Sequence, residues 1–286
     1  MIDVQNLLYT YPGQTAPTVK EISFQVQPGE IFGFLGPSGA GKSTTQKVLT
    51  RLLGDFEGQV SVLGKTLKGW GVKYYNHIGV GFELPNHYHK LSAEENLRFF
   101  GSFYDRPVQK PAELLAMVGL ENHARKRVSD FSKGMKMRLN FLRAIMHDPE
   151  LLFFDEPTAG LDPGNARLLK NIILDLKARG KTIFLTTHHM QDADQLCDRI
   201  AFLADGRIEL IDSPKALKLR YGRRLVRVEY RNGQIASREF PLDGLGVNPE
   251  FLRLLREENI ETIHTEEATL DDIFIEVTGK QLDSVE

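Results

Sequence analysis

The run Ile31-Phe32-Gly33-Phe34-Leu35-Gly36-Pro37-Ser38-Gly39-Ala40-Gly41-Lys42-Ser43 decides the fold. Its first five residues are apolar on both faces, as in a strand buried inside a central sheet. The glycines that follow let backbone N–H groups converge on phosphate oxygens, and a helical pattern opening near Lys42 adds the positive end of a helix dipole. Lys42 is then placed to reach β- and γ-phosphates, and the Ser43 hydroxyl to bind Mg²⁺. A chance glycine-rich turn could supply the same letters, but not the flanking strand and helix. Gly36, Pro37, Ser38, Gly39, Ala40, Gly41, Lys42, Ser43 and Thr44 are therefore the candidate phosphate cradle.

A second apolar run, Leu151-Leu152-Phe153-Phe154, ends in the adjacent carboxylates Asp155 and Glu156. Strand ends are where α/β sheets place their ligands. Asp155 is suited to hold the metal ion, and Glu156 to polarise an attacking water as a general base. Two acids at a strand end also suit a solvated turn, and the phosphate cradle decides between the readings.

Around these motifs the chain divides by pattern. Alternating Ile22, Phe24 and Val26, with turns at Pro12-Gly13 and Pro28-Gly29, indicate an antiparallel β layer near the start. Further buried strands are expected at 182–186 and 199–204, with a helix over 166–178, and Asp205-Gly206 reads as a hairpin turn. Residues 84–150 carry helix signals, including the capping box Ser92-Ala93-Glu94-Glu95, whose helix brings Leu97, Phe100 and Tyr104 to one face. After 213 the pattern changes to short strands about Asn232-Gly233, a helix near 249–258, and a second capping box at Thr269-Leu270-Asp271-Asp272. There Leu270, Ile273, Phe274 and Val277 share a face. The expected class is α/β: a P-loop NTPase core sheet with an antiparallel β layer, a helical subdomain at about 84–150 and a small α+β C-terminal extension. The expected domains are 1–213 and 214–286.

Composition narrows the function classes. With 36 basic and 38 acidic side chains and a net charge of -2, the chain has no electrostatic footprint for duplex nucleic acid, and no nucleic-acid partner is expected. One cysteine, Cys197, cannot form an internal disulfide, and the N-terminus lacks a signal pattern, so a cytosolic setting is expected. No window approaches the roughly 20 apolar residues that cross a bilayer, so membrane association must come through a partner.

Several further motifs fall in an order that resembles the ABC ATPase family over residues 1 to 213. Phe131-Ser132-Lys133-Gly134-Met135 stands at the family's signature, usually Leu-Ser-Gly-Gly-Gln, keeping Ser132 and Gly134. Ala159-Gly160-Leu161-Asp162 matches the D-loop, in which Asp162 couples two sites across a dimer. In Thr186-Thr187-His188-His189-Met190 the family spacing selects His188 as the γ-phosphate sensor, with His189 as its neighbour. Tyr11 occupies the place of the aromatic that stacks on adenine, with Tyr9 as the weaker candidate. Glu83 stands where the family has glutamine, and its oxygens can still approach Mg²⁺ and the attacking water. His77, His87 and His89 invite a metal reading, but no cysteine or carboxylate cluster completes a ligand set.

The resemblance implies an ATPase with ATP and Mg²⁺ as cofactors, working as a head-to-tail homodimer in which each signature meets the other subunit's nucleotide. It also implies a separate transmembrane permease, and so a peripheral place on the cytoplasmic face of the membrane. The tail Asp271-Asp272-Ile273-Phe274-Ile275-Glu276 is similar to that of bacterial exporter ATPases, which favours export. Two rivals stand beside this reading. A soluble ABC ATPase acting on a non-membrane partner would carry a second cassette or a long coiled coil, and this chain has neither. A non-hydrolysing ATP-dependent regulatory module is suggested by Glu83 and the altered signature, and opposed by Lys42, Asp155, Glu156 and His188.

Overall fold

The structure is a computed structural model describing residues 1–222, 224–232, 234–265 and 268–280. In chain order its main elements are β1 (Ile2–Tyr9), β2 (Val19–Val26), β3 (Ile31–Leu35), α1 (Lys42–Leu49), β4 (Glu57–Val62), β5 (Lys65–Thr66) and β6 (Ile78–Gly81). Next come α2 (Ala93–Gly101), α3 (Pro111–Met117), α4 (Lys133–Ile145), β7 (Leu151–Asp155), α5 (Pro163–Ala178), β8 (Thr182–Thr187), α6 (Met190–Leu196), β9 (Arg199–Ala204) and β10 (Arg207–Asp212). The last are α7 (Pro214–Tyr221), β11 (Leu225–Asn232), β12 (Gln234–Pro241), α8 (Pro249–Glu257), β13 (Asn259–Thr265) and α9 (Leu270–Thr278).

The central sheet runs β10-β9-β3-β8-β7-β6, parallel except for β10, and a second, antiparallel sheet runs β2-β1-β4-β5. Every residue of β3, β7 and β8 is buried. The two-residue period of a strand explains how both faces are used. Phe32, Phe34, Phe153 and Phe184 meet the antiparallel layer, with Phe24 and Phe34 ring centroids 4.8 Å apart, whereas Ile31, Leu35, Leu152, Phe154, Ile183 and Leu185 meet the helices. Burying each such side chain contributes about 1.5–3 kcal/mol, so apolar burial dominates the sheet's stability.

Because β3, β6, β7 and β8 are parallel, their C-terminal ends lie along one edge. That edge collects the loop after β3, the Asp155-Glu156 pair, Thr187-His188 and the Glu83 loop.

Between β6 and β7 lies the helical insertion of α2, α3 and α4. Its expected capping box is present: Ser92 Oγ accepts from Glu95 N at 3.2 Å, and the Glu95 carboxylate accepts from Ser92 N at 2.7 Å. Leu97 is fully buried, with Phe100 and Tyr104 packed against the same core. The strand β6, which carries no sequence expectation of its own, is glycine-rich for a steric reason. A Cβ on Gly79 would lie 1.9 Å from Ala144 O of α4.

Beyond β10 the chain builds the sheet β12-β11-β13, backed by α8 through Val226, Val228, Phe240, Phe251 and Leu254. Gly233 of the expected turn lies outside the described residues. Helices α7 and α9 flank this unit but pack elsewhere: Leu217, Leu270, Ile273 and Phe274 join the core of the central sheet, and Phe274 meets Phe202 edge-on at 5.2 Å. The capping box at Thr269 opens α9 as expected, with Asp272 N donating to Thr269 Oγ1 at 3.1 Å and Thr269 N donating to Asp272 Oδ2 at 3.1 Å. Entry and exit of the small unit are adjacent, since a Cβ on Gly222 would sit 3.6 Å from Ala268 N.

Candidate nucleotide site

The loop after β3 wraps the start of α1. Gly39 (φ 80°) and Gly41 (φ 103°) take left-handed conformations that favour glycine. A Cβ on Gly36 would meet Leu203 O at 2.2 Å, so that position is closed to any side chain. No side chain caps α1, which leaves its first N–H groups to an outside acceptor such as phosphate. The turn Asp205-Gly206 braces the loop from β9–β10, with Gly206 N donating to Ala40 O at 3.2 Å. Lys42 is nearly buried, and its Nζ donates to Gly36 O at 2.6 Å and Pro37 O at 3.0 Å. Its charge therefore lies inside the loop's own curve. Ser38 and Gly39 form the exposed lip, with Pro37 half-buried behind them.

Across from the loop, Asp155 closes β7. Its Oδ1 accepts from Ser43 Oγ at 3.1 Å and from Thr186 Oγ1 of the neighbouring strand. A hydroxyl and a carboxylate converging here are hard oxygen donors of the type Mg²⁺ takes.

The next residue, Glu156, adopts φ 48°, a left-handed conformation that costs about 1–2 kcal/mol in a non-glycine residue. Its side chain accounts for the strain being tolerated. Oε1 accepts from the backbone N–H of His188 at 2.8 Å and from its Nδ1–H at 2.7 Å, and Oε2 accepts from Thr187 Oγ1 at 2.9 Å. Glu156 is buried and His188 about a third exposed at the mouth. Thr186 and Thr187, which sequence reasoning took only as strand residues, thus position both acids.

The remaining candidates fall into place unevenly. Tyr9 is buried within the β layer, whereas Tyr11 is half-buried, and its hydroxyl hydrogen-bonds Thr44 Oγ1 at 3.2 Å. Tyr11 is thus the tyrosine joined to the phosphate-loop helix. Glu83 is exposed in the loop after β6, which α4 anchors through Asn140 Nδ2 donating to Phe82 O at 2.7 Å.

Ser132 is exposed and caps α4, its Oγ accepting from Met135 N at 3.2 Å. Phe131 is buried in the helical core, so the position keeps an apolar side chain as the usual leucine would. Gly134 faces Leu161, and Lys133 lies over Gly160, so the signature and the D-loop touch within one chain. Asp162 caps α5, accepting from Asn165 N at 3.0 Å and from Asn165 Nδ2 at 2.5 Å. The hydrogen bonds from Asn165, side chain and backbone, hold its carboxyl below the usual range.

Of the histidines set aside as ligands, His87 donates Nε2–H to Lys136 O at 2.9 Å and His77 pairs with Glu150 at 3.4 Å. Among the described residues, Glu156, His188 and His189 do bring ligand atoms within 4.8 Å of one another. The Glu156–His188 hydrogen bond and the contact of the two imidazole rings account for that proximity without an ion.

A glycine-rich loop between β3 and α1, an aspartate hydrogen-bonded to that helix's Ser43, a glutamate–histidine pair and an exposed serine-capped helix together have the layout of an ATP-binding cassette. The chain belongs to the ABC transporter family, as an ATP-binding and ATP-hydrolysing subunit, and that family's profile matches residues 19–159. It is 57% identical over 284 residues to the fluoroquinolones export ATP-binding protein of Mycobacterium tuberculosis strain H37Rv, covering 99% of this chain and 94% of that one. Residues 224–267 match the fluoroquinolone efflux ABC transporter C-terminal domain. The linearmycin resistance ATP-binding protein of Bacillus subtilis strain 168 is 34% identical over 278 residues, covering 95% of this chain and 85% of that one. Among solved structures, an ATP-binding subunit of an ABC transporter superposes with a TM-score of 0.70 at 29% identity, covering 77% and 93% of the two chains. A dimeric ATP-binding cassette in a post-hydrolysis state with ADP and Pi superposes with a TM-score of 0.69 at 26% identity, covering 74% and 98%.

Proposed function

We propose that this chain is the motor of a drug exporter: two copies close head to tail on ATP, and hydrolysis reopens them to drive a separate membrane permease. The observation that carries the reading is the Glu156–His188 unit standing beside the Ser43–Asp155 pair at one sheet edge. Glu156, hydrogen-bonded but carboxylate-bearing, is the base that takes a proton from the attacking water, and His188 orients that base and senses the γ-phosphate. Lys42 and the N–H groups of the loop hold the phosphates. Ser43 and Asp155, with Glu83 at the adjoining loop, would hold Mg²⁺, which supplies positive charge to the phosphate oxygens. Tyr11 stacks on adenine. Ser132, Gly134 and Asp162 act across the dimer, and the dimeric solved cassette supports that arrangement.

No helix among the described residues is long and apolar enough to span a membrane. In this reading the export pathway belongs to a separate permease, and the chain works at the cytoplasmic membrane face through it. The identity to the mycobacterial protein and the matching C-terminal unit support fluoroquinolones as cargo.

The permease would seat at a cleft of about 440 Å³ between β6, α2 and the segment around Val72–Asn76, lined in part by Val72, Phe82, Phe100 and Phe103. Exposed Leu52, Leu84, Tyr88 and Phe99 extend the apolar surface around it. So much apolar surface in one place is characteristic of an interaction site.

The test is co-expression with the permease in a susceptible host. Raised fluoroquinolone tolerance that is lost in Glu156→Gln supports the reading, and tolerance unaffected by that substitution overturns it.

A further inference from the structure

The same cleft contains a cation that no carboxylate among the described residues pairs with. Arg143, on α4, lines it. Among the described residues, this guanidinium makes its hydrogen bonds through Nη1 alone, donating to Asn86 O and, at 3.5 Å, approaching His87 Nδ1. Nε is shut from solvent without an acceptor, and the group stacks 3.5 Å above the centre of the Phe100 ring. No carboxylate among the described residues forms an ion pair with it. Asp105 lines the cleft as well, but its carboxylate accepts from Asn76 Nδ2 at 3.2 Å.

The neighbours cannot neutralise this charge. Burial pulls Arg143 down only to about 10, and the groups that favour its charge are the phenols of Tyr104 and Tyr88 rather than carboxylates. Burial also pulls His87 down to about 4, so it is a neutral acceptor at Nδ1 while Nε2–H is committed to Lys136 O. A partly desolvated cation held by carbonyl, imidazole and ring faces is costly to keep unless something completes it. Arginine's planar fork is the side chain best shaped to take a carboxylate edge.

We propose that the permease segment entering this cleft is an amphipathic helix whose apolar face meets Phe100 and Phe103 and which carries an Asp or Glu that pairs with Arg143. This rests on the exporter reading above and adds the chemistry of the contact. The apolar lining provides area, as helix-in-groove recognition generally does, and the single cation sets register and partner choice. A permease whose cytoplasmic helix presented lysine at that position would be rejected, since two cations would then share one apolar cleft.

The experiment uses the full-length chain and synthetic peptides copying each cytoplasmic loop of the permease, each acidic peptide being paired with its Asn or Gln counterpart. Binding is read by fluorescence anisotropy. We expect one acidic peptide to bind the wild type at least about tenfold more tightly than its amide twin, the size of a charge-assisted hydrogen bond. In Arg143→Gln that ratio should fall to about one, and in Arg143→Lys it should be partly kept. Circular dichroism and ATP affinity of the variants establish that they are folded. Because the ratio compares two peptides on one protein, a general loss of stability in Arg143→Gln does not move it.

Equal binding of the acidic and amide peptides to the wild type overturns the Arg143 pairing while leaving the cleft as the docking site. Peptide binding and permease capture both unaffected by Phe103→Ala would instead remove the cleft from the docking role.

Discussion

The Glu156 carboxylate takes two hydrogen bonds from His188, one from the backbone N–H at 2.8 Å and one from Nδ1 at 2.7 Å, through the same oxygen. The base and the imidazole are thus one rigid unit at adjoining strand ends. Nδ1 carries the proton in this contact, so Nε2 is the nitrogen left for the nucleotide side.

Replacing Glu156 by glutamine removes the proposed base but keeps one amide oxygen to accept from the His188 backbone N–H, while the amide NH2 can donate to Thr187 Oγ1. ATP affinity is expected to stay within a few-fold while turnover falls about 10²–10⁴-fold. Nucleotide binding and steady-state phosphate release measured on the same preparation check both halves. Near-normal release would remove Glu156 from the base role.

The same variant, with ATP and Mg²⁺ bound and hydrolysis blocked, is expected to accumulate as a dimer, since in the proposed head-to-tail arrangement Ser132 and Gly134 would complete the partner's site. Light scattering coupled to size exclusion reads the mass directly. A chain that binds ATP yet stays monomeric at high concentration would count against the composite site.

Gly79 has a tighter environment than its place in a short strand suggests. Gly79→Ala would push a methyl to within 1.9 Å of Ala144 O and force β6 away from α4. Overpacking of this kind costs about 1–3 kcal/mol, and each kcal/mol lowers Tm by about 2–4 °C in a domain of 150–250 residues. The Glu83 loop should shift with the strand. Gly54→Ala is the control, because nothing lies within 4 Å of a Cβ there.

Phe99, on α2, is 37% exposed, and Phe103, in the turn just past its end, is 66% exposed. Alanine at both positions should lower Tm far less than the roughly 3–5 kcal/mol that each buried phenylalanine would contribute, while weakening permease capture. Thermal melts beside co-purification separate the two effects. A large fall in Tm would place these rings in the core.

Acid should destabilise the fold through His147. Its Nε2–H donates to Ile78 O at 2.9 Å, its ring stacks on Tyr104 at 3.8 Å, and burial pulls it down to about 4. The unfolded value is about 6.5, so the folded state resists the proton that the unfolded chain accepts. The stability is therefore fully present above about pH 6.5 and is lost as pH falls toward 4. Melts between pH 7.5 and 4.5 should show a declining Tm with a shallower slope in His147→Gln. An unchanged slope in that variant would assign the acid sensitivity to other groups.

What could be read from the amino-acid order follows from how each element is stabilised. β3, β7, β8 and β9 announce themselves because apolar residues fill both faces, and the capping boxes at Ser92 and Thr269 mark their helices within a single turn. β6 does not, since Ile78-Gly79-Val80-Gly81 has been stripped of side chains to admit the α4 backbone, a demand visible only in space. β13 is similarly silent, its residues mostly polar and exposed. Within the site, Lys42, Ser43, Asp155 and Glu156 carry their chemistry in local spacing. Thr186 and Thr187 do not, because a threonine in a strand is ordinary until the carboxylates across the ladder are known. Likewise Arg143 reads as one more helix cation until its stacking on Phe100 and the lack of an ion pair to it among the described residues are seen.

The neighbouring positions of Gly222 and Ala268 have a consequence for how such chains can be rebuilt. The span between them begins and finishes at almost the same point, so the small sheet and α8 behave as a bead on a closed loop, while α7 and α9 stay clipped to the ATPase. Excising that bead and bridging the gap with a short turn should leave a working hydrolase, and grafting another bead at the same stub should require no change in the motor beneath it. The geometry makes this corner of the fold a socket, through which related motors could exchange accessories without relearning how to burn ATP.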